Sequence, residues 1–228
     1  MAAPVSIVIP TWHAAGVLPE TLACLMEGVA TGLVHDLVIS DGGSEDGTAE
    51  IAAEAGAGFV AGPPGRGGQL RRGAAAASAP WLLFVHADTH LSPGWSARAA
   101  RHIAEDPDRA AYFRLRFRSA GPAPAVVAFW ANFRSRAFGL PYGDQGLLIS
   151  RALYDAVGGY PDIVLMEDVA LARALSGRLT PLSAEARTSA ARYQKNGWVG
   201  QGAQNLWRLT RYLAGADPAK LARSYGKV

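Results

Sequence analysis

Short apolar runs alternate with stretches of helical spacing over the first 105 residues, and this alternation limits the choice of fold more than any other feature. The run VSIVI (5–9) is β-branched and unbroken, which is typical of a strand buried on both faces. In 17–30, apolar residues recur three and four positions apart, which indicates an amphipathic helix. Repeated along the chain, this pattern predicts an α/β fold with a mostly parallel central sheet and helices on both faces. The predicted strands of this part are 5–9, 36–40, 58–61 and 81–85, and the predicted helices are 17–30, 48–55, 69–79 and 94–105.

The pattern changes after residue 105. In YFRLRFRS (112–119), apolar side chains alternate with Arg114, Arg116 and Arg118, which predicts a half-exposed, antiparallel strand. The chain has no internal repeat and no low-complexity linker, so we expect a single domain over residues 1–228 with a small antiparallel part. The other elements predicted here are a strand at 146–150 and helices at 125–138, 167–175 and in the tail 198–214.

The composition narrows the classes of ligand and compartment. A net charge of +3 and a pI of about 9.2 favour anionic ligands but are too weak to indicate nucleic acid. Cys24 is the only cysteine, so one chain cannot form a disulfide, and a reducing cytoplasm is expected. The sequence shows neither a basic leader followed by an apolar run nor a stretch of about 18 apolar residues. We therefore expect a cytoplasmic protein without a membrane-spanning helix.

Three polar clusters follow predicted strands, where ligands bind in open parallel sheets. The first, SDGGSEDGT (40–48), places Asp41 at a strand end among glycines that let backbone amides approach a ligand closely. A turn followed by a helix cap at Thr48 would also explain this stretch. For Asp41 we favour ligand contact.

The second cluster, GPPGRGGQLRRGA (62–74), places Arg66, Arg71 and Arg72 among glycines at a helix start, which is a natural anion site. It lacks the Gly-Lys-Ser/Thr of a P-loop. The pattern G-x-G-x-x-A at 56–61 follows a helix and precedes a strand, which reverses the context of a dinucleotide site. The alternative for the adjacent arginines is a solvated helix face, which we expect for one of them.

The third cluster is LLFVHADTHL (82–91), in which a buried strand runs into three polar side chains. On an extended backbone His86, Asp88 and His90 would point the same way. The carboxylate suits Mn²⁺ or Mg²⁺, and two histidines with an aspartate could hold a transition metal. A hydrogen-bonded core histidine followed by a helix cap at Asp88 would explain the same residues.

Taken in order, the motifs resemble those of inverting nucleotide-sugar glycosyltransferases of family two, which have the GT-A fold. The resemblance covers nearly the whole chain, and the forms HADT and GDQG are similar to those of a bacterial subgroup of short members. The matching motifs are SIVIPTWHAAGVLPETL, ISDGGSEDGT, GRGGQLRRGA, FVHADT, GDQGLLISR, MEDVAL and TSAARY.

The resemblance implies a hexosyltransferase-like activity and a role for each matched residue. Asp168 would be the general base that takes the proton of the acceptor hydroxyl, which gives inversion. Asp88, with His86, would bind Mn²⁺ or Mg²⁺ and so help to stabilise the departing diphosphate. Residues 1–95 would form a nucleotide-binding half and 96–228 an acceptor half. The nucleotide-binding residues would be Pro10, Thr11, Asp41, Gly42, Arg66, Gln69, Arg71, Ala87, Asp88 and Arg192, and the acceptor-binding residues Gly143, Asp144, Gln145 and Glu167.

Two motifs depart from the family pattern. Where the family has Asn-Glu after its first Pro-Thr-x, this chain has His13-Ala14, so no nucleotide contact is expected from these side chains. The Asp-x-Asp motif reads His86-Ala-Asp88, so one carboxylate is missing. His86 would then bind the metal, tune it, or hydrogen-bond the ribose or diphosphate.

The expected donor is a UDP- or GDP-sugar and the expected acceptor a small-molecule or lipid-linked hydroxyl, with no role for nucleic acid. Two other functions stay open. A nucleotidyltransferase of similar fold would need a longer Gly-rich loop after the first strand, and a non-catalytic nucleotide-sugar-binding protein would explain the missing carboxylate. The aromatic and basic tail 198–213 favours packing on the sheet or on a second subunit of a homodimer. Its alternative is peripheral contact with the inner membrane.

Overall fold

The structure, a computed structural model, describes residues 3–223 and has one eight-stranded sheet at its centre. The strands are β1 Val5–Thr11, β2 Val34–Asp41, β3 Gly58–Ala61, β4 Trp81–Phe84, β5 His90–Leu91, β6 Ala110–Phe117, β7 Leu147–Ser150 and β8 Leu179–Thr188. The α-helices are α1 Leu18–Ala30, α2 Thr48–Glu54, α3 Arg66–Ala76, α4 Trp95–Glu105, α5 Pro122–Phe138, α6 Arg151–Ala156, α7 Glu167–Ala174, α8 Ala191–Asn196, α9 Trp198–Leu213 and α10 Pro218–Arg223. The strands follow the order β3-β2-β1-β4-β7-β6-β8-β5 across the sheet.

The first four strands form the parallel part that the alternating pattern predicts. β1 pairs in parallel with both β2 and β4, and β2 pairs in parallel with β3. In the register of β1 and β2, Thr11 lies opposite Asp41, so both strands deliver polar residues to the same edge of the sheet. The prediction of an α/β fold with a mostly parallel sheet and helices on both faces is confirmed for this part.

Both faces of the parallel strands are buried, which explains their unbroken apolar runs. Ile7, Ile9 and Leu83 pack on one side with residues of α1 and α4, including Leu25 and Trp95. The alternate strand residues Val8, Leu82 and Phe84 face the other side. There they pack with residues of α3, α6 and α7, which include Leu70, Leu153 and Leu171.

The remaining strands are mixed. β6 pairs antiparallel with β7, as predicted, but pairs in parallel with β8, a strand that the sequence analysis missed. β7 also pairs antiparallel with β4 and so joins the two parts of the sheet. The predicted alternation in β6 is confirmed, because Arg114 and Arg116 are exposed and Leu115 and Phe117 are buried.

The backbone after β4 differs from the extended course expected for 86–90. β4 ends at Phe84, the chain turns at Ala87–Asp88, and the Thr89 amide donates a hydrogen bond to the His86 carbonyl (3.1 Å). The expectation that His86, Asp88 and His90 share one face of a strand is therefore wrong. The alternative of a helix cap at Asp88 is also wrong, because the next element is the short strand β5.

The first turn of α3 lies directly against the loop that precedes α7. A Cβ atom on Gly67 would be 2.3 Å from the Pro161 carbonyl oxygen and 2.7 Å from that of Ile163. Only glycine permits this approach, which fixes Arg66 next to α7.

The tail forms α9, whose Leu209 packs with Leu140, Met166 and Val169. The predicted packing of part of this helix within the fold is therefore observed. Within residues 3–223, every helix is too short or too polar to cross a membrane.

Candidate active site

Asp41 organises the loop after β2. Its carboxylate is 2% exposed and accepts four hydrogen bonds, from the Thr11 hydroxyl (2.7 Å), the Gly43 amide (2.7 Å), and the Ser44 hydroxyl and amide (both 2.6 Å). Burial alone would raise the pKa of Asp41, but the bonds from Ser44, Thr11 and Gly43 outweigh it and hold the pKa below its usual range. The loop is thus held in a single shape around an ionised carboxylate.

The loop after β1 is tied to the loop after β2 through its backbone. The amides of His13 and Ala14 donate hydrogen bonds to the hydroxyls of Ser44 (2.8 Å) and Thr48 (3.0 Å). The Ala15 amide likewise donates to the Asp46 carboxylate (3.0 Å). The backbone amides of His13 and Ala14 therefore help to hold the two loops together. These hydrogen bonds do not depend on the side chains that the family pattern would place at these positions.

Gln69 and Arg72 brace the same loops from α3. The buried Gln69 amide donates hydrogen bonds to the carbonyls of Thr11 (2.6 Å) and Ser40 (3.1 Å), which leaves it no opening toward a ligand. The Arg72 guanidinium donates to the Asp41 carbonyl (3.1 Å), whereas Arg71 is exposed to solvent. Of the two adjacent arginines, Arg72 is the one directed toward Asp41.

Three further residues predicted to bind nucleotide lie at the same edge of the sheet. The Gly42 amide donates to the Thr11 carbonyl (2.9 Å). Pro10 is partly buried within β1, and the Ala87 carbonyl accepts a hydrogen bond from the Thr21 hydroxyl (2.6 Å). The structure thus brings the ends of β1, β2 and β4 to one edge.

Asp168, Gly143 and His86 converge from three separate segments. Asp168 lies in the first turn of α7, and its carboxylate accepts hydrogen bonds from the amides of Gly143 (2.8 Å) and Val169 (2.7 Å). The His86 ring lies against Gly143, since a Cβ atom there would be 2.6 Å from His86 Nε2 and 3.7 Å from Asp168 Oδ2. Burial, followed by the positive charge of Arg66, lowers the pKa of His86 well below its usual value, so His86 is neutral.

Asp144 contributes a carboxylate oxygen without a partner. Its Oδ1 atom is buried and accepts no hydrogen bond from residues 3–223. Burial raises the pKa of Asp144 to about 6; the charges of Asp168 and Asp88 add to this effect, and those of Arg134 and Arg66 oppose it. Three carboxylates and two arginines therefore act on one another at this point.

Glu167 lies beside Asp168 but faces Arg66. It is 2% exposed, and its Oε1 atom is 3.8 Å from Arg66 Nε and accepts no hydrogen bond within the described part of the chain. Burial and the charge of Asp168 raise the pKa of Glu167 to about 7, while Arg66 opposes the shift. A buried acid with a raised pKa in such a cluster is typical of a functional site.

Gln145 departs from the expected acceptor contact. Its side chain is fully buried; Oε1 accepts from the Ser135 hydroxyl (2.6 Å), and Nε2 donates to the Phe113 carbonyl (3.1 Å). Gln145 therefore fixes the 3-10 turn Gly143–Gln145 to α5 and β6. In this position it supports Gly143 and Asp144 without facing the site.

Arg134 is a residue of the site that the sequence analysis missed. Its guanidinium lies 3.5 Å from the centre of the Tyr142 ring, and its charge lowers the pKa of Asp144. It belongs to α5, which the sequence presents as an aromatic-rich helix. Nothing in its spacing relates it to the GDQG motif, so only the folded structure could identify it.

Asp88 and Arg192 complete the cluster. Asp88 is half-buried and accepts no hydrogen bond from residues 3–223, and Arg192 is at the start of α8. Partial burial and the charge of Arg66 lower the pKa of Arg192, and Asp88 opposes this shift, so the two arginines and Asp88 are electrostatically linked.

The donor set fits a divalent cation only in part. Among the described residues, no three His, Cys, Asp or Glu side chains are arranged to hold a metal. Mg²⁺ is, however, commonly bound by one or two carboxylates together with substrate phosphates, and Asp88 offers an unengaged carboxylate. The residues therefore fit a metal that binds with a phosphorylated ligand, and the joint site of Asp88 and His86 stays a prediction.

Structures of known proteins share this fold. S. aureus TarS superposes with a TM-score of 0.63 at 16% identity over 96% of this chain, which spans only 41% of that TarS chain. Glucosyl-3-phosphoglycerate synthase from Mycobacterium tuberculosis, in complex with Mn²⁺, UDP and glucosyl-3-phosphoglycerate, superposes with a TM-score of 0.58 at 20% identity, over 89% of this chain and 78% of that one. A shorter TarS chain in complex with UDP gives 0.61 at 15% identity, over 96% and 68%. At these identities the likeness shows the GT-A fold.

Sequence comparison adds the family. No curated protein matches the chain by sequence. The model of the family described as "Glycosyl transferase family 2" matches residues 6–146, which is more than half of the chain and includes the loops of Asp41, Arg66, Asp88 and Gly143. The chain therefore belongs to glycosyl transferase family 2.

Proposed function

We propose that this protein is an inverting, metal-dependent glycosyltransferase that moves a sugar from a nucleoside diphosphate to an acceptor hydroxyl. The observation that carries the proposal is the convergence of Asp88, Arg66, Gly143 and Asp168 at the carboxyl edge of the sheet. These residues come from four distant segments and supply the two functions such a reaction needs. One is stabilisation of a leaving diphosphate, and the other is a base for the acceptor.

The donor we favour is a UDP-sugar, since UDP is the nucleotide in the complexes of TarS and of glucosyl-3-phosphoglycerate synthase. Its nucleotide would lie on the loops of Asp41 and Arg66, in the half formed by residues 1–95. Because all lone pairs of the Asp41 carboxylate are engaged, contact with a base would come from this loop's backbone or require exchange of one bond.

The diphosphate would lie between Asp88, Arg66 and Arg192. Mn²⁺ accompanies UDP in the synthase complex, and we propose Mn²⁺ or Mg²⁺ on Asp88 for this chain. When bound, such a cation supplies positive charge to the diphosphate oxygens as the sugar–phosphate bond breaks. Arg66 and Arg192 would add two further positive charges on the same side.

Asp168 would act as the base. The amides of Gly143 and Val169 hold its carboxylate, which leaves remaining lone pairs for an acceptor hydroxyl. Taking the hydroxyl proton from the face opposite the diphosphate would invert the configuration at the sugar. Asp144 and Glu167 would border the acceptor.

Calorimetric titration tests binding, and a single variant tests catalysis. UDP should bind only when Mn²⁺ or Mg²⁺ is present. Asp168→Asn should retain this binding but lose transfer or donor hydrolysis by about a thousandfold, the scale of general base catalysis. Asp155→Asn, at an exposed position in α6, is the matched control and should behave as the parent protein.

The possible results separate the competing functions. No binding of any nucleoside diphosphate with metal present would contradict the proposal, and turnover by Asp168→Asn would exclude Asp168 as the base. Pyrophosphate release from a nucleoside triphosphate would indicate a nucleotidyltransferase. Tight binding without transfer to water or any acceptor would indicate a non-catalytic binding protein. Cytoplasmic location, the bacterial subgroup and a homodimer stay predictions.

A further inference from the structure

Helix α5 exposes its largest apolar side chains, and its buried positions carry small ones. Phe129, Trp130 and Phe138 are 66%, 61% and 67% exposed, whereas the buried positions of this helix are Pro124, Ala128 and Ser135. A helix that only covered a core would show the opposite arrangement.

The exposed rings form one continuous surface. Phe133 stacks with Phe129 (6.5 Å between ring centres) and makes edge contacts with Trp130 (5.7 Å) and Phe138 (6.3 Å). We call these four side chains the aromatic face. Contiguous exposed apolar surface of this kind marks a site of interaction with a protein or a membrane.

Arginines border the aromatic face. A groove of about 1040 Å³ between α5 and the strands β6 and β8 is lined by Phe129 and Phe133 and also by Arg114, Arg116 and Arg136. Among the described residues that line it, Glu185 is the only acid, and three arginines pair with it: Arg114 (4.0 Å), Arg116 (3.1 Å) and Arg187 (2.9 Å). The surface therefore has an excess of positive charge beside its exposed rings.

We propose that the aromatic face of α5 and the arginines of the groove dock the protein on an anionic phospholipid bilayer. Phe and Trp insert favourably at the level of the headgroups, and arginine pairs with phosphate oxygens through two parallel hydrogen bonds. A second copy of this chain fits less well. A symmetric contact would bring two surfaces with the same excess of arginine together.

The docking surface connects directly to the candidate active site. The Ser135 hydroxyl of α5 donates to Gln145, and Arg134 stacks on Tyr142 just before the turn that carries Gly143. Docking through α5 would thus bring the acceptor side of the site close to the bilayer. Docking on a bilayer does not require turnover, so it can be tested independently of the proposed function.

Vesicle flotation with the full chain tests the inference. Vesicles of phosphatidylcholine with phosphatidylglycerol should carry the protein, and vesicles of phosphatidylcholine alone should carry far less. Phe129→Gln with Trp130→Gln should weaken binding about tenfold or more, because glutamine keeps the helix but removes the apolar surface. Arg114→Gln with Arg116→Gln should weaken binding to the anionic vesicles by about tenfold. Met26→Gln with Phe59→Gln, two exposed apolar residues on α1 and β3, is the matched control.

A spectroscopic measurement shows which residue inserts. Brominated lipids should quench tryptophan fluorescence, and Trp130→Phe should remove most of the quenching while binding persists. Equal binding by the α5 variant and the control would overturn the proposal, as would failure of the parent protein to float with anionic vesicles. Concentration-dependent dimerisation that only the α5 variant loses would assign the face to a second copy instead.

Discussion

The two sides of the candidate active site differ in how completely their buried carboxylates are bonded. On the side of β1 and β2, the Asp41 carboxylate accepts four hydrogen bonds, and Gln69 and Arg72 brace the surrounding carbonyls. On the side of α7, buried oxygens of Asp144 and Glu167 accept none from residues 3–223. The pKa values follow the same division, lowered for Asp41 and raised for the other two.

This contrast indicates that the two sides of the candidate site have different roles. On the first side, the hydrogen bonds to Asp41 hold the loops after β1 and β2 in place. The other side holds buried charge whose cost a ligand can relieve by supplying hydrogen-bond donors or a cation. We therefore expect changes on the first side to affect stability and nucleotide binding, and changes on the second side to affect turnover and pH dependence.

The largest effect is expected from Asp41→Ala, which should lower the free energy of unfolding by about 3 kcal/mol. The change leaves the hydroxyls of Thr11 and Ser44 and two loop amides without their acceptor. Chemical denaturation measures this change in the free energy of unfolding. Asp36→Ala removes a half-buried carboxylate that accepts two hydrogen bonds, both from Ser78, and should cost less. Equal costs would remove the distinction between the two sides.

Gly143→Ala should lower turnover by about a hundredfold with little change in stability. The new Cβ atom would be 2.6 Å from His86 Nε2, so the ring or the turn must shift beside Asp168. Steady-state kinetics measure the effect. Gly202→Ala, in α9 with open space around the added atom, is the control. Full activity of the Gly143 variant would show that this contact does not position Asp168.

The acids with raised pKa values should make the ligand-free protein less stable as pH increases. An acid that holds its proton more tightly when folded contributes stability fully below its unfolded pKa of about 4. That contribution is lost as pH rises through about 6 for Asp144 and about 7 for Glu167. We expect these two groups to lower Tm by about 5 °C between pH 5 and pH 8.

The double change Asp144→Asn with Glu167→Gln should flatten this dependence, as measured by thermal unfolding at several pH values. His86 acts in the opposite direction, since burial lowers its pKa and stability is lost as pH falls below about 6.5. The difference between the parent protein and the variant isolates the two acids. An unchanged slope in the variant would show that neither acid is protonated on folding.

The smallest effect separates two adjacent arginines. Arg72→Ala should weaken binding of UDP with metal about tenfold, because it removes a charged hydrogen bond to the Asp41 carbonyl. Arg71→Ala should change it by less than about twofold, because Arg71 is exposed. Isothermal titration calorimetry compares the affinities of the two variants for UDP with metal. A larger loss of affinity for Arg71→Ala would support Arg71 as the nucleotide-binding residue.

Local patterns predicted much of the fold. The β-branched run at 5–9 and the alternation in 112–119 depend on which faces are buried, so β1 and β6 could be recognised from their residues alone. Strand β8 could not, because two of its four buried residues are the small Ala184 and Ala186, and it contains Pro181. Small residues give too weak an alternation to separate a strand from a loop.

The candidate site could be predicted as a set of residues but not as a set of contacts. Family motifs pointed to Asp88, Gly143 and Asp168, whose roles stay predictions, yet the spacing of HADTH suggested an extended backbone where the chain turns. Gln69 and Gln145 look like binding residues in the sequence, and only their tertiary partners reveal them as internal braces. No motif or spacing in the sequence pointed to Arg134.

The close approach of Gly67 to the Pro161 carbonyl limits how this protein can be recombined with a relative. A graft that replaced residues 96–228 with those of a relative would bring a new loop against an unchanged glycine. If residues 96–228 bind the acceptor, as predicted, acceptor preference could be exchanged only with a loop that matches the backbone path of 161–163. Residues 96–228 would therefore have to be exchanged together with the first turn of α3.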